Sequence, residues 1–250
     1  MFWILESSDK RMKYVEEYLN KWGISTDSNS KNLVLPIRGI DKNGFVADTY
    51  INLEEILRNR KIEKIFTGLT NEKLKELVDK YEIELISYLG DEEVIIKNNY
   101  ITLEGLLHFM ADEEISVFDE SFLVLGYGYS GQIIAKALKD LRGNVLVYAK
   151  DYHDRKSIIL SGYEYHDLTS FKDNLIVINT IPSLIFDAKI IDKLPKDTII
   201  IDIASLPGGI DFEYAKIKGI KTSHVLSIPG KYFPKKAGKI IAEYLKKMIK

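Results

Sequence analysis

The stretch Phe122-Leu123-Val124-Leu125-Gly126-Tyr127-Gly128-Tyr129-Ser130-Gly131 decides the reading of the fold. It is a short apolar strand running into Gly-x-Gly-x-x-Gly. A helix pattern follows, with Ile133, Ile134, Ala137, Leu138 and Leu141 on one face and Gln132, Lys136, Lys139 and Asp140 on the other. Gly126 allows the tight strand-to-helix turn, Gly128 keeps side chains away from a pyrophosphate, and Gly131 lets the helix pack closely on the strand. The N–H groups of the first helical turn then face the phosphates. A second strand, Asn144 to Ala149, completes the unit that binds a dinucleotide in such folds. The alternative is a glycine-rich βα turn without a ligand.

The tip of that second strand bears on the choice of dinucleotide. NAD-selective folds carry an acid there that binds the ribose 2′-hydroxyl. Here the tip reads Val147-Tyr148-Ala149-Lys150-Asp151, with Ala149 at the acid position and Lys150 after it. A small residue followed by a cation suits the 2′-phosphate of NADP, and His153 and Arg155 add positive charge nearby. A one-residue shift would make Asp151 the acid, so NAD stays open.

The chain has 250 residues, of which 46% are hydrophobic, enough for one large or two modest domains with real cores. A net charge of −2 gives no reason to expect a nucleic-acid partner. The absence of cysteine removes disulfides, thiolate nucleophiles and zinc–thiolate sites, and no metal site is expected. Glu6, Asp9, Lys10 and Arg11 arrive too early for a signal peptide, and no apolar run reaches transmembrane length. A cytoplasmic, non-membrane protein is the expectation.

Strand and helix patterns alternate throughout, which predicts an α/β protein of two α/β domains. Residues 1–98 read as a smaller N-terminal α/β domain for substrate or assembly, with strands at Phe2–Leu5, Asn32–Pro36, Lys64–Thr67 and Ile83–Ser87. Residues 99–119 form a connection whose helix spans 99–114, with Leu103, Leu106, Leu107 and Met110 on its apolar side. Residues 120–235 read as a Rossmann domain, a doubly wound parallel sheet. Residues 236–250 read as a C-terminal helix returning to the first domain and closing the cleft between the two.

Ligands of open α/β sheets sit beyond the carboxyl ends of the strands. Three loops there are rich in proline and glycine: Ile178–Ser183, Asp202–Asp211 and Ser227–Gly238. Such residues let the backbone pass close to a ligand. The cofactor candidates are therefore Gly126, Tyr127, Gly128, Tyr129, Ser130 and Gly131, with Lys150, Asn179, Thr180, Pro182 and Ala204.

These loops and the fingerprint resemble the dipicolinate synthase family of endospore-forming bacteria, in the A-type subunit of that enzyme. The likeness runs through Asn179-Thr180-Ile181-Pro182-Ser183, then Pro207-Gly208-Gly209-x-Asp211-Phe212-x-Tyr214-Ala215, and then Pro229-Gly230. It continues through Pro234-Lys235-x-Ala237-Gly238-x-Ile240. Thr102-Leu103-Glu104-Gly105, Asp9-x-Arg11 and Leu33-x-Leu35-Pro36 are similar as well. The resemblance covers most of the chain and is looser in the first hundred residues. It implies an NADP-linked oxidoreductase of sporulation that oxidises a dihydrodipicolinate-level intermediate of the lysine pathway to dipicolinate. It also implies a flavoprotein-like partner, the B-type subunit of the same synthase. The chain departs from the family at Tyr129 and Leu206, where the family has arginine, at Lys236 for threonine, and at Ser7-Ser8 for Gly-Gly.

A dicarboxylate substrate needs cations of good geometry. Arg11, Arg38 and Lys235 are the substrate-binding candidates, surface charge being the alternative for each, and Lys235 and Glu104 the catalytic ones, Glu104 either as the base that aromatisation requires or in a helix-facing or capping role. His108, His153, His166 and His224 read as structural, though His224 ends a strand near the third loop. Two other readings stay open: a regulatory or assembly subunit with a degenerate site, and an NAD(P)-dependent dehydrogenase of another small acid. A homo-oligomer is compatible with either.

Overall fold

The computed structural model describes every residue except Glu6 and Lys250. The chain divides into two compact units, Met1–Ile101 with Pro229–Lys250, and Thr102–Ile228.

The first unit opens with β1 (Trp3–Ile4), α1 (Lys10–Lys21), β2 (Asn32–Val34), α2 (Leu53–Asn59), β3 (Lys64–Thr67), α3 (Glu72–Lys80) and β4 (Glu84–Ser87). The strands form one parallel sheet in the order β1-β2-β3-β4. A parallel bridge from Phe2 to Thr26 extends the sheet on the far side of β1. The strands read as unbroken apolar runs because both faces are covered. Leu33, Leu35 and Ile65 enter one core with Leu53, Leu74 and Leu77. Val34 and Phe66 enter the other with Met12, Val15 and Leu19 of α1.

The next helix, α4 (Glu92–Asp112), crosses the division between the units. It begins seven residues before the 99–114 helix that the sequence predicts. The reason is a cap: the Asp91 carboxylate accepts the Val94 N–H (3.0 Å), and Glu92 and Glu93 follow where the helix dipole favours acids.

The second unit holds β5 (Ser121–Leu125), α5 (Tyr129–Asp140), β6 (Asn144–Tyr148), α6 (Tyr152–Leu160), β7 (Glu164–Tyr165), β8 (Leu175–Asn179), α7 (Ala188–Ile191), β9 (Ile199–Asp202), α8 (Phe212–Lys218) and β10 (Lys221–His224). Its parallel strands lie in the order β10-β9-β8-β5-β6-β7, the Rossmann arrangement. The chain is thus an α/β protein with a doubly wound parallel sheet and a second, smaller parallel sheet. After α9 (Ile228–Tyr232), the last helix α10 (Pro234–Lys247) packs in the first unit along α1, and Ile240, Ile241, Ala242 and Leu245 join the α1-side core. No helix among the described residues is long and apolar enough to cross a membrane.

Candidate functional site

In the second unit, strand order reverses at β5, which lies between β6 and β8. The loops leaving β5 and β8 therefore part to opposite faces and leave a crevice at the carboxyl edge. Gly126 has φ +103°, and an added methyl group would run into the Thr180 hydroxyl. Gly131 lies so close to the Gly126 carbonyl that no side chain fits. Gly128 differs from both, because nothing stands within 4 Å of where its side chain would be. It is also the N-cap of α5 and offers no side chain to the first-turn N–H groups. The turn thus combines two glycines that the packing demands with one that faces open space at a helix N-terminus. That is the space a pyrophosphate takes in such folds.

The remaining turn residues divide by burial. Tyr127 is buried, meets Tyr163 edge-on at 6.1 Å, and accepts Gln132 Nε2 on its carbonyl oxygen (2.8 Å). Tyr129 is exposed and Ser130 half-buried at the start of α5.

At the tip of β6, Ala149 is buried and Lys150 exposed. Arg155 returns from α6 to this tip. Its Nε donates to the Ala149 carbonyl (3.3 Å) and its Nη2 to the Lys150 carbonyl (3.4 Å), with the guanidinium 5.3 Å over the Tyr165 ring. Asp151 is the N-cap of α6, its carboxylate accepting the His153 N–H at 2.7 Å. The acid of the NAD alternative therefore has a helix-capping task.

The sequence groups Asn179 and Thr180 with the cofactor, but their side chains are engaged in holding the loop. Asn179 is fully buried. Its Nδ2 donates to Asp202 Oδ1 (2.8 Å) and to the Ile181 carbonyl (3.0 Å), and its Oδ1 accepts the Ile181 N–H (3.0 Å). The Thr180 hydroxyl donates to the Leu125 carbonyl (2.8 Å). Pro182, by contrast, is exposed on this loop.

Asp202, which the sequence does not single out, organises the second loop. Fully buried at the end of β9, it accepts from Asn179 Nδ2, the Ala204 N–H (2.9 Å) and the Gly209 N–H (2.8 Å). Three N–H donors explain how a carboxylate is tolerated in an apolar sheet. His224 Nε2 donates to the Ala204 carbonyl (2.9 Å), and its ring stacks on Phe212. The available signal was an acid ending the apolar run Ile199–Ile201.

The substrate candidates all belong to the first unit. Arg11 and Arg38 follow the paired strands β1 and β2. Arg11 is only 8% exposed, and Asp9 grips it side-on, Nε to Oδ1 at 2.7 Å and Nη2 to Oδ2 at 2.9 Å. Pro229 and Gly230 of α9 lie against the same guanidinium, with a methyl group at Gly230 standing 2.9 Å from Cζ. Burial drives the Tyr88 phenol well above its usual pKa, and the charge of Arg11 opposes that shift. Arg38 is exposed and pairs with Asp48 (3.1 Å), a surface contact worth little. Lys235 is exposed in the first turn of α10 beside Lys236, where no acid balances the positive end of the helix dipole. Glu104 is exposed on α4 in the second unit.

No family model matches the chain. The A-type subunit of dipicolinate synthase from Bacillus subtilis (strain 168) is 29% identical over 229 residues, 87% of this chain and 77% of that protein. The crystal structure of the corresponding dipicolinate synthase subunit from Bacillus halodurans superposes with a TM-score of 0.84 at 25% identity, covering 99% of this chain and 97% of that one. The apo-structure of D-lactate dehydrogenase from Escherichia coli has a TM-score of 0.68 at 12% identity, covering 99% and 94%. This last likeness is one of fold alone. The resemblance to dipicolinate synthase holds in sequence and in structure, on a dehydrogenase fold.

Proposed function

We propose, from the likeness of this chain to the A-type subunit of dipicolinate synthase, that it is an NADP-dependent oxidoreductase. In this reading it oxidises a dihydrodipicolinate-level intermediate of the lysine pathway to dipicolinate, together with a flavoprotein-like partner of the B type. The observation that carries the dinucleotide part is the open space at Gly128, at the N-terminus of α5 and between two glycines that the packing requires.

The residues present suit the cofactor. The turn from Gly126 to Gly131 would hold the pyrophosphate through its backbone N–H groups. Lys150 supplies charge for a 2′-phosphate, and Arg155 is already fixed at the same strand tip. Bound there, a nicotinamide would accept the hydride from the substrate ring, and a base of this chain would take the ring proton that aromatisation releases. Glu104 is the candidate for that base.

Arg11, Arg38 and Lys235 hold the two carboxylates. Asp9 presets the Arg11 guanidinium, which lowers the conformational cost of using it. Lys235 and Lys236 crowd the positive end of α10, an arrangement that an anionic ligand would relieve. The exposed pair Arg38–Asp48 exchanges readily for a substrate carboxylate.

The test is an assay of the chain, on its own and with a flavoprotein-like partner, for the ultraviolet absorbance of dipicolinate as NADPH appears. Arg38→Met and Lys235→Met should each lower turnover at least tenfold. NADPH binding without dipicolinate, whatever the partner, would favour a dehydrogenase of another small acid. Unchanged turnover in both variants would place the substrate elsewhere.

A further inference from the structure

A groove of about 720 Å³ opens on the first unit, lined by the C-terminal part of α1, by α4 and by the second half of α10. No candidate residue for the cofactor or the dicarboxylate lines it. The volume lies within the range of small-molecule sites.

Its floor is apolar and aromatic. Tyr18 on α1 and Trp22 at its C-cap stand one turn apart with ring centroids 5.6 Å apart, and Ile24 and Ile249 line the groove beside them. The rim is cationic. Lys246 lies 5.0 Å over the Trp22 ring, and Lys239 lies 5.8 Å over Tyr18. Glu243, the one acid lining the groove among the described residues, is shared by Lys97 at 3.1 Å and Lys239 at 3.7 Å. Lys97 and Lys247 also meet Glu93. Lys21 and Lys246 line the groove without an acidic partner among the described residues.

An apolar floor beneath a positive rim selects a ligand with both properties. A neutral hydrophobe would leave the lysines unanswered, and a small hydrophilic anion would leave the aromatic floor uncovered. We propose that this groove is a second ligand site, separate from the dinucleotide crevice, for a small aromatic carboxylate. The ring rests against Tyr18, Trp22 and Ile24, and the carboxylate meets the rim at Lys21 and Lys246. The proposal stands independently of the oxidoreductase reading.

The chain has two tryptophans, Trp3 and Trp22. Trp3→Phe therefore leaves Trp22, in the groove, as the sole reporter. In that background, titration with 3-phenylpropanoate should change tryptophan emission saturably, while acetate should not. The neutral isostere 3-phenylpropanamide should bind roughly tenfold more weakly. Lys21→Gln and Lys246→Gln should each weaken 3-phenylpropanoate roughly threefold, and together roughly tenfold, as expected for exposed charge pairs. Ile249→Glu sets a negative charge in the groove at the chain end and should abolish the response, with circular dichroism reporting the fold of every variant. A flat titration overturns the proposal. Equal binding of acid and amide, or an unchanged response in the double lysine variant or in Ile249→Glu, overturns it as well.

Discussion

A methyl group added at Gly131 would stand 2.7 Å from the carbonyl carbon of Gly126, so the first turn of α5 rests directly on the backbone that leaves β5. Two positions later than the tight turn, Gly128 has nothing within 4 Å of its missing side chain. Glycines three residues apart thus differ in purpose. Gly128→Val should leave circular dichroism and the melting temperature nearly unchanged while abolishing NADPH binding, read by NADPH fluorescence. Gly131→Val should destabilise the fold by about 1–3 kcal/mol or more, because the backbone must move. Tight NADPH binding by a folded Gly128→Val protein would end the fingerprint reading.

Lys150 and Arg155 flank the exit of β6, one exposed and one fixed by two carbonyls. NADP should bind more tightly than NAD. Lys150→Ala should weaken NADP by roughly five- to tenfold, an exposed charge-assisted contact of about 1 kcal/mol or slightly more, and leave NAD unaffected. Calorimetric dissociation constants for both cofactors check this. A wild-type preference for NAD would make Asp151, the cap of α6, the ribose ligand as well.

Asp202 is buried with three N–H donors turned on it. Removing the carboxylate leaves these donors buried and unsatisfied, at about 1–3 kcal/mol each before relaxation. Asp202→Ala should therefore lose about 3 kcal/mol or more in urea denaturation. A loss below about 1 kcal/mol would show that water satisfies the loop in its place.

Glu93 and Lys247 join α4 to α10, and Lys97 adds a second cation to the same carboxylate. These lysines lower the Glu93 pKa from 4.5 to about 2. A depressed folded-state value means that the contribution is fully present above the ordinary carboxylate pKa and is lost as pH falls from about 4.5 towards about 2. In that window, the protection factors of α10 amides, corrected for intrinsic exchange, should fall in the native protein. Glu93→Gln should exchange faster already at neutral pH and respond less to acid. The same acid response in both proteins would place the sensitive group elsewhere.

Much of the second unit was readable because its signals are local. β6 ends at Tyr148, one residue short of the strand predicted over Asn144–Ala149, and β5 begins at Ser121, one residue before the predicted Phe122. Parallel strands covered on both faces appear as apolar runs, and glycine or an Asx cap marks where they stop. Where the apolar pattern lost its helical period, reading failed. Glu92–Asn98 has no clear polar face, so the start of α4 was visible only through the Asp91 cap. α6 buries little beyond Ile158 and exposes Ile159 and Leu160, so it carried no amphipathic signature, although Asp151 caps it.

The sequence by itself determined that Gly126, Gly128 and Gly131 stand between a strand and a helix, because the chemistry of that turn lies within ten consecutive residues. It determined equally that Arg11 and Arg38 follow strand ends, but it left Lys235 in a loop where the structure has the first turn of α10. Only the tertiary structure decided which of these groups are free to act. Asn179 lies 23 residues from Asp202, and their hydrogen bond turns a cofactor candidate into a loop support. Gly230 reaches Arg11 across most of the chain and packs against the guanidinium that Asp9 holds. Lys246 likewise reaches Trp22 only because α10 packs along α1. Residue type and spacing report what a side chain can do, whereas its partners are set by long-range packing, which leaves no period in the sequence.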